Sequence, residues 1–297
     1  MRAECYRLST AEASPPLGPS VPRNPAYPLL PAAMDSAAPP PSSPPPLRVA
    51  DLGRSYDGLR ALDGLSFVVE AGRILGLVGP NGAGKTTALR SIVGVLPIHE
   101  GRVVVCGHDV ARDAVAAKRC LGWVPDDPEP FDTLTVFEHL EFTAHLHRLR
   151  GWQGRAAELL ERFELVEKRE ALGGELSRGM RQKLAFACAW LPRPRIVLLD
   201  EPLSGLDPRG IRSAKYAVRE LAGEGTAVIL SSHLLSLIEE LAHELLILDR
   251  GRSVFQGTLE EARARHAAVP GSSLEDVFFA ATGDGSAPGA EAPPPAP

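Results

Sequence analysis

The feature that most constrains the fold of this chain is a glycine-rich loop, GPNGAGKT at residues 79–86, which directly follows the apolar segment RILGLV. The loop has the spacing G-x-x-x-x-G-K-[ST], and a strand before it with a helix after it is the context that this pattern needs. Glycines let the backbone curl, so that successive N–H groups face an anion at a helix N-terminus. The loop therefore predicts a phosphate site. A tight glycine turn is the alternative, and the Lys85-Thr86 pair argues against it.

Two adjacent carboxylates follow an apolar run further along the chain. The segment IVLLDEP delivers Asp200 and Glu201 at the end of a predicted strand, and ligands of open α/β sheets bind at that edge. Lys85 is suited to reach the β and γ phosphates of a nucleotide, and Thr86 and Asp200 are suited to hold Mg²⁺. Glu201 is suited to polarise an attacking water. A solvated acidic turn is the alternative, and the phosphate loop makes it the weaker one.

The arrangement of apolar segments predicts the fold class. Strands alternate with helices over residues 47–281, which favours a largely parallel sheet with helices on both faces. IVLLD, TAVILSS and ELLILD are continuous apolar runs, typical of strands covered on both faces. RVADLGRSY, ALDGLSFVVE and GRVVVCG alternate with period 2 and indicate a small antiparallel layer. TVFEHLEFTAHLHRL and GRAAELLERFEL belong to a helical insert at about 127–190. We therefore expect an α/β domain over 47–281.

The two ends differ in composition from the rest. Residues 1–46 contain 13 of the 28 prolines and residues 288–297 contain five more, which predicts disordered arms over 1–46 and 282–297. Met34 stands shortly before the first strand and is an alternative start. Ser272 and Glu275 have the spacing of a capping box, which predicts a last helix before the tail.

Composition argues against several classes of protein. The 32 Lys and Arg are scattered among 37 Asp and Glu, for a net charge of −5, which gives no basic surface for nucleic acid. The four cysteines have no C-x-x-C spacing, so no disulfide framework or thiolate zinc site is expected and a reducing cytosol fits. No apolar run approaches the roughly eighteen residues of a membrane-spanning helix, and the first residues lack the apolar core of a signal peptide.

Three histidines, His139, His145 and His147, lie close together in HLEFTAHLHRL. None is three or four residues from another, so no helix face gathers them as metal ligands. We expect them to be solvated.

Over residues 47–281 the chain resembles the ABC ATPase family, which implies a P-loop NTPase (RecA-like) core. ELSRGMRQKLAFACA resembles the signature motif of that family, SGLD resembles its D-loop, and ILSSH resembles the strand end that carries its switch histidine. Alone, His233 is an ordinary strand-end histidine and Tyr56 an ordinary strand aromatic. The order and spacing of the whole set carry the resemblance.

The resemblance implies ATP hydrolysis, with ATP and Mg²⁺ as ligands, and assigns residues to roles. Glu201, His233 and Lys85 are the implied catalytic residues. Ser177, Gly179 and Asp207 are the implied contacts to ATP held by an opposite subunit. The implied contacts to the chain's own ATP are the adenine-stacking Tyr56, then Gly79, Pro80, Asn81, Gly82, Ala83, Gly84, Lys85, Thr86 and Thr87, and Asp126.

Three positions depart from the family pattern. LGWVPDD places Asp126 where Gln is usual, and a carboxylate cannot donate a hydrogen bond as an amide does. The signature has Arg178 and Met180 where Gly and Gln are commoner. Similar variants occur in the exporter branch of the family, so we interpret these departures as features of a lineage. Metal affinity or communication with a partner is what the change at Asp126 would alter.

The resemblance also implies an assembly. Two copies, or this chain and a closely related ATPase subunit, would form a head-to-tail dimer on a separate integral-membrane permease, at the cytoplasmic face of the cell membrane. The region after His233 is too short for the regulatory domain of many importers, so export is expected. The permease is expected to insert a short helix beside Trp123, Asp126 and Phe131.

Two other functions stay open at this point. A non-transport ABC ATPase usually duplicates the cassette, inserts a coiled coil or adds zinc fingers, whereas here Ser177 follows Lys85 by only 92 positions and no cysteine cluster is present. An assembly module that binds ATP and barely hydrolyses it is the third hypothesis. The transported substrate is not encoded in this chain, because specificity belongs to the membrane subunit.

Overall fold

The computed structural model describes residues 44–266 and 273–282. The strands in these residues are β1 (Leu47–Tyr56), β2 (Leu59–Val69), β3 (Ile74–Val78), β4 (Glu100–Val105), β5 (His108–Asp109), β6 (Leu121–Val124), β7 (Ile196–Asp200), β8 (Ala227–Ser231), β9 (Glu244–Asp249) and β10 (Arg252–Thr258). The helices are α1 (Lys85–Ile92), α2 (Ala114–Arg119), α3 (Val136–His147), α4 (Gln153–Arg162), α5 (Arg178–Trp190), α6 (Pro208–Gly223), α7 (Leu235–Leu241), α8 (Leu259–His266) and α9 (Leu274–Thr282). Short 3₁₀ turns occupy Val166–Lys168 and Gly173–Glu175.

Two sheets make up the β structure. The larger has the strand order β10-β9-β3-β8-β7-β6, and every neighbouring pair is parallel except the edge pair of β10 and β9. The smaller, β2-β1-β4-β5, is antiparallel throughout. The predicted α/β class, with its parallel sheet and separate antiparallel layer, is confirmed.

The parallel sheet is buried on both faces. Along β3, Ile74 and Val78 pack into one core cluster, whereas Leu75 and Leu77 pack into the other. This alternation follows from the two-residue period of a strand. A continuous apolar run is therefore what such a strand needs, and it holds the strand ends rigidly at the edge where the loops emerge.

The chain between β6 and β7 carries α3, α4 and α5. Thr135 caps α3 through the reciprocal bonds of a capping box with Glu138. Phe163, Phe186 and Trp190 pack their rings together between α4 and α5, with centroids 5.1 to 6.0 Å apart. The insert thus adds an aromatic group to the core that covers one face of the parallel sheet.

The last helix is capped one residue later than the sequence suggested. The backbone N–H of Asp276 donates to Ser273 Oγ, and that of Ser273 donates to the Asp276 carboxylate. The expected partner Ser272 lies outside the described residues, and so do the predicted arms except for 44–46 and Thr282.

One expectation about the histidines was wrong. His139 is only 6% exposed. The backbone N–H of Phe131 donates to its Nε2, and its Nδ1 lies 2.7 Å from the carbonyl oxygen of Thr135. The ring therefore holds the loop before α3 in place. In 44–266 and 273–282 no group of His, Cys, Asp or Glu side chains is arranged to hold a metal on its own.

Candidate functional site

The glycine-rich loop joins β3 to α1. Gly82 and Gly84 have φ of 80° and 104°, a region that L side chains rarely adopt. At Gly84 a Cβ would also stand 2.5 Å from the carbonyl oxygen of Ala61. The antiparallel layer therefore lies directly against the loop. Glycine is required at position 84 both by the positive φ and by the lack of space for a Cβ.

Lys85 begins α1 and turns its side chain back over the loop. Its Nζ donates to the carbonyl oxygens of Gly79 and Pro80, at 2.6 and 3.1 Å. Partial burial lowers the pKa of Lys85, and the nearby carboxylates of Glu201 and Asp200 act in the opposite direction. The ammonium group thus stands against the glycine-rich loop, where a phosphate would meet it.

Asp200 ends β7 and is 3% exposed. Burial raises the pKa of this carboxyl, and a hydrogen bond from Thr86 opposes the shift. A buried carboxylate beside a hydroxyl offers two hard oxygen ligands, the kind that Mg²⁺ prefers. The predicted metal pair is therefore brought together by the structure.

Glu201, one residue on, has φ of 46°, and this left-handed backbone turns its side chain toward the strand end of β8. Its carboxylate accepts from the backbone N–H of His233 at 2.8 Å and from Ser232 Oγ at 3.2 Å, and it lies 2.8 Å from His233 Nδ1. The expected water-activating residue and the expected switch histidine are thus in direct contact.

Lys85, Thr86, Asp200 and Glu201 line one cavity of about 290 Å³. The predicted site residues Gly79, Pro80 and His233 lie outside its lining. The loops after β3 and β7 form it, at the carboxyl edge of the sheet, where ligands of α/β folds bind. Its lining residues are Ala61, Asn81, Gly82, Ala83, Gly84, Lys85, Thr86, Thr87, Asp126, Asp200 and Glu201. We call it the phosphate-loop cavity.

Tyr56 lies outside that lining. It pairs with Leu59 at the tip of the β1–β2 hairpin and is 40% exposed. The guanidinium carbon of Arg54 stands 4.7 Å from its ring centroid, a distance at which a cation is attracted to the ring.

A second cavity, the signature cavity, contains the three residues expected to act in trans. It measures about 410 Å³ and is lined by Ser177, Arg178, Gly179, Met180, Lys183, Gly205, Leu206 and Asp207. Ser177 caps α5 by accepting from Met180 N, and Asp207 caps α6 by accepting from Gly210 N. The two cavities share no lining residue, so one chain keeps the two sets of predicted ATP contacts apart.

The expected permease contacts are not alike. Phe131 is 57% exposed and stacks edge-on against the exposed Phe142, with ring centroids 5.6 Å apart. Trp123 is only partly exposed and packs against the core beneath the antiparallel layer, so it does not belong to an exposed aromatic groove.

Sequence reasoning missed the partner of Arg178. Its Nη2 donates to Ser204 Oγ at 2.9 Å and to Asp126 Oδ1 at 3.4 Å. Asp126 and Arg178 are the two charged departures from the family pattern. The family usually has uncharged residues at both positions, whereas this chain has two opposite charges. That joint change is the sequence signal that could have predicted the contact.

Comparisons with known proteins show which family the chain is similar to. A family model described as "ABC transporter" matches residues 62–204. The daunorubicin resistance ATP-binding protein DrrA3 of Streptomyces coeruleorubidus is 38% identical over 213 residues, which cover 71% of this chain and 67% of that protein. The ABC-type transporter ATP-binding protein EcsA of Bacillus subtilis is 32% identical over 80% of this chain and 96% of its own length.

The Nod factor export ATP-binding protein I of Burkholderia thailandensis is 36% identical over 71% of this chain and 70% of that protein. Among solved structures, the ATP-binding subunit of an ABC transporter superposes with a TM-score of 0.76 at 31% identity and covers 79% of this chain and 98% of its own. In residues 44–266 and 273–282, none of the helices has the length and apolar character needed to cross a bilayer.

Proposed function

Since this chain belongs to the family of ABC transporter ATP-binding subunits, we propose that two copies of it share two ATP sites and drive export through a separate integral-membrane permease. The chain is an ATPase and the ATP-binding subunit of such a transporter. Subunits of this family dimerise and work with membrane permeases. The proposal adds that the dimer is head-to-tail, that it acts at the cytoplasmic face of the membrane, and that transport is outward.

The observation that carries the proposal is the separation of the two cavities. One contains a cation, a loop of N–H groups and two carboxylates, which suits a triphosphate. The other presents the N-terminus of α5 with Ser177 and Gly179, which suits the far side of the same phosphates. A second copy, turned head-to-tail, would bring each signature cavity over a phosphate-loop cavity.

Within the phosphate-loop cavity each side chain has a task that its position supports. Lys85 binds the β and γ phosphates, and Glu201 orients and polarises the attacking water. His233 lies beside the cavity, where it holds Glu201 in place and would contact the γ-phosphate. Thr86 and Asp200 are the oxygen ligands that would hold Mg²⁺, which supplies charge neutralisation at the phosphates when bound.

Mixing two inactive variants tests the sharing of sites. Lys85→Ala removes the phosphate-loop half, and Ser177→Arg blocks the signature half. Neither homodimer retains an intact site. Random exchange makes half of the dimers mixed, each with one intact site, so an equal mixture should recover about a quarter of wild-type turnover if the sites act independently.

Phosphate release by the separate variants and by their mixture measures this recovery. Two Lys85→Ala preparations mixed with each other are the control. No recovery in a mixture whose mixed dimers are confirmed by native mass spectrometry would contradict the shared site.

Export and the permease rest on different support. Two relatives are named for drug resistance and for Nod factor export, and similarity to them favours outward transport here. The exposed pair of Phe131 and Phe142 on the insert fits a short apolar permease helix.

A substitution at Phe131 tests this docking surface. Phe131→Ala should lower hydrolysis in the complex purified from membranes at least about fivefold at limiting permease, with basal hydrolysis unchanged. Tyr216→Ala, an exposed aromatic on α6, is the control. Equal loss of basal and stimulated hydrolysis would contradict this docking surface.

A further inference from the structure

The first turn of α5 is bonded to two loops of its own chain. Arg178 Nη2 carries two N–H groups, and it donates to Ser204 Oγ at 2.9 Å and Asp126 Oδ1 at 3.4 Å. One guanidinium therefore joins the loop after β6 to the loop after β7.

The stem of Arg178 also fits a backbone feature. It crosses Gly205, where a Cβ would stand 3.1 Å from its Cδ, and Gly205 has φ of 77°. One turn further along α5, the buried Gln182 donates from Nε2 to the carbonyl oxygen of Pro125 at 3.4 Å. The junction is thus built by packing and by a second bond next to Asp126.

The ion pair of Arg178 and Asp126 lies between the two cavities. Asp126 lines the phosphate-loop cavity, and Arg178 lines the signature cavity. The ion pair is therefore a direct connection between the two cavities within one chain. Both side chains are about half exposed, at 51% and 49%, so the pair is weak enough to break and re-form.

We propose that Arg178 is a positioning residue that couples the signature turn to the chain's own nucleotide cavity. Through Asp126, the state of that cavity sets the placement of Ser177 and Gly179, which face the nucleotide of the other copy. The charged departures at the two positions are then one matched pair. This inference rests on the proposed function, because it assumes that both cavities bind ATP.

Hydrogen exchange in the nucleotide-free chain tests the connection itself. Arg178→Ala and Asp126→Ala should each speed amide exchange at residues 180–184, and the expected change is about two- to fivefold for a half-exposed pair. The double variant should match Arg178→Ala alone, because the two changes remove one contact. Arg112→Ala, an exposed arginine on a different loop, is the control of equal charge. Additive effects, or no effect, would overturn the proposal.

Addition of Mg²⁺ and the non-hydrolysable analogue AMP-PNP tests the coupling, at protein concentrations where light scattering reports single chains. In the wild type, exchange should change both at residues 79–87 and at 180–184. In Arg178→Ala only residues 79–87 should respond, and Arg178→Lys should recover part of the second response. An undiminished response at 180–184 in Arg178→Ala would contradict this inference and leave the proposed function unaffected. No response at 79–87 in the wild type would count against the proposed nucleotide site instead, and the nucleotide-free arm would still decide the connection.

Discussion

The two cavities are built by different means. The phosphate-loop cavity stands at the ends of buried parallel strands, so its carboxylates and glycines are fixed by the core of the domain. The signature cavity stands on the first turn of α5 and on the 204–207 loop, and its residues Ser177, Arg178 and Asp207 are exposed. We propose that the first cavity binds phosphate within a single chain, and that the second, which offers capped helix ends, gains its ligand from another copy.

The difference also appears in the charges. Burial shifts the pKa of both Lys85 and Asp200 in the phosphate-loop cavity, as expected where chemistry takes place. The ion pair of Arg178 with Asp126 at the signature cavity is half exposed on both sides, and such pairs contribute little to stability. We therefore propose that the chemistry is concentrated in the phosphate-loop cavity, and that the signature cavity makes adjustable contacts.

The largest test of this division is Glu201→Gln. If Glu201 activates water, replacing its carboxylate with an amide should lower turnover by about 100- to 1,000-fold while Mg-ATP binding persists. Phosphate release and equilibrium binding of a fluorescent ATP analogue measure the two quantities. Glu260→Gln, an exposed change on α8, is the matched control. Equal turnover in Glu201→Gln and wild type would show that another group activates the water.

A smaller effect, on the affinity for ATP, is expected at Tyr56. It tests whether the ATP site includes the β1–β2 hairpin as well as the edge of the sheet. Tyr56→Ala removes the ring that would stack on adenine, and stacking on an aromatic contributes about 1–3 kcal/mol per base. The dissociation constant for ATP should therefore rise about 5- to 150-fold, and Tyr56→Trp should preserve it. Titration with the same fluorescent analogue measures both. Unchanged affinity in Tyr56→Ala would place adenine away from the hairpin.

Local signals predicted the phosphate-loop half well. A continuous apolar run followed by a glycine-rich loop fixes β3 and the loop to α1, and IVLLD fixes β7 and its two carboxylates, because strand period and turn chemistry act over a few residues. Family resemblance added Ser177 and His233. No local pattern would have assigned either role.

Contacts between segments that are distant along the chain could not be predicted from the sequence. His139 is buried because the loop at Phe131 folds back over it, and Arg178 meets Asp126 across 52 positions. The cap of α9 was misplaced because two serines precede two acidic residues, so two registers had the same spacing. Only the structure distinguishes them.

The smallest effect, on stability, is expected at Asp200. Burial raises the pKa of this carboxyl, so the folded chain binds its proton more tightly than the unfolded chain. Stability from this group therefore falls as pH rises through the window between the unfolded and the folded pKa, and the cost remains above it. Asp200→Asn removes the charge and should raise the free energy of unfolding at pH 7 by about 0.5–2 kcal/mol.

Urea unfolding without nucleotide or Mg²⁺ checks this prediction, and the gain should shrink as pH falls below the folded pKa of Asp200. Asp127→Asn, an exposed carboxylate in the loop after β6, should change little. Lower stability in Asp200→Asn at pH 7 would mean that the bond from Thr86 outweighs the cost of burial. If the gain is found together with lost hydrolysis, the phosphate-loop cavity keeps a buried, destabilising charge that only its ligands offset, whereas Ser177, Arg178 and Asp207 of the signature cavity are exposed and avoid that cost of burial.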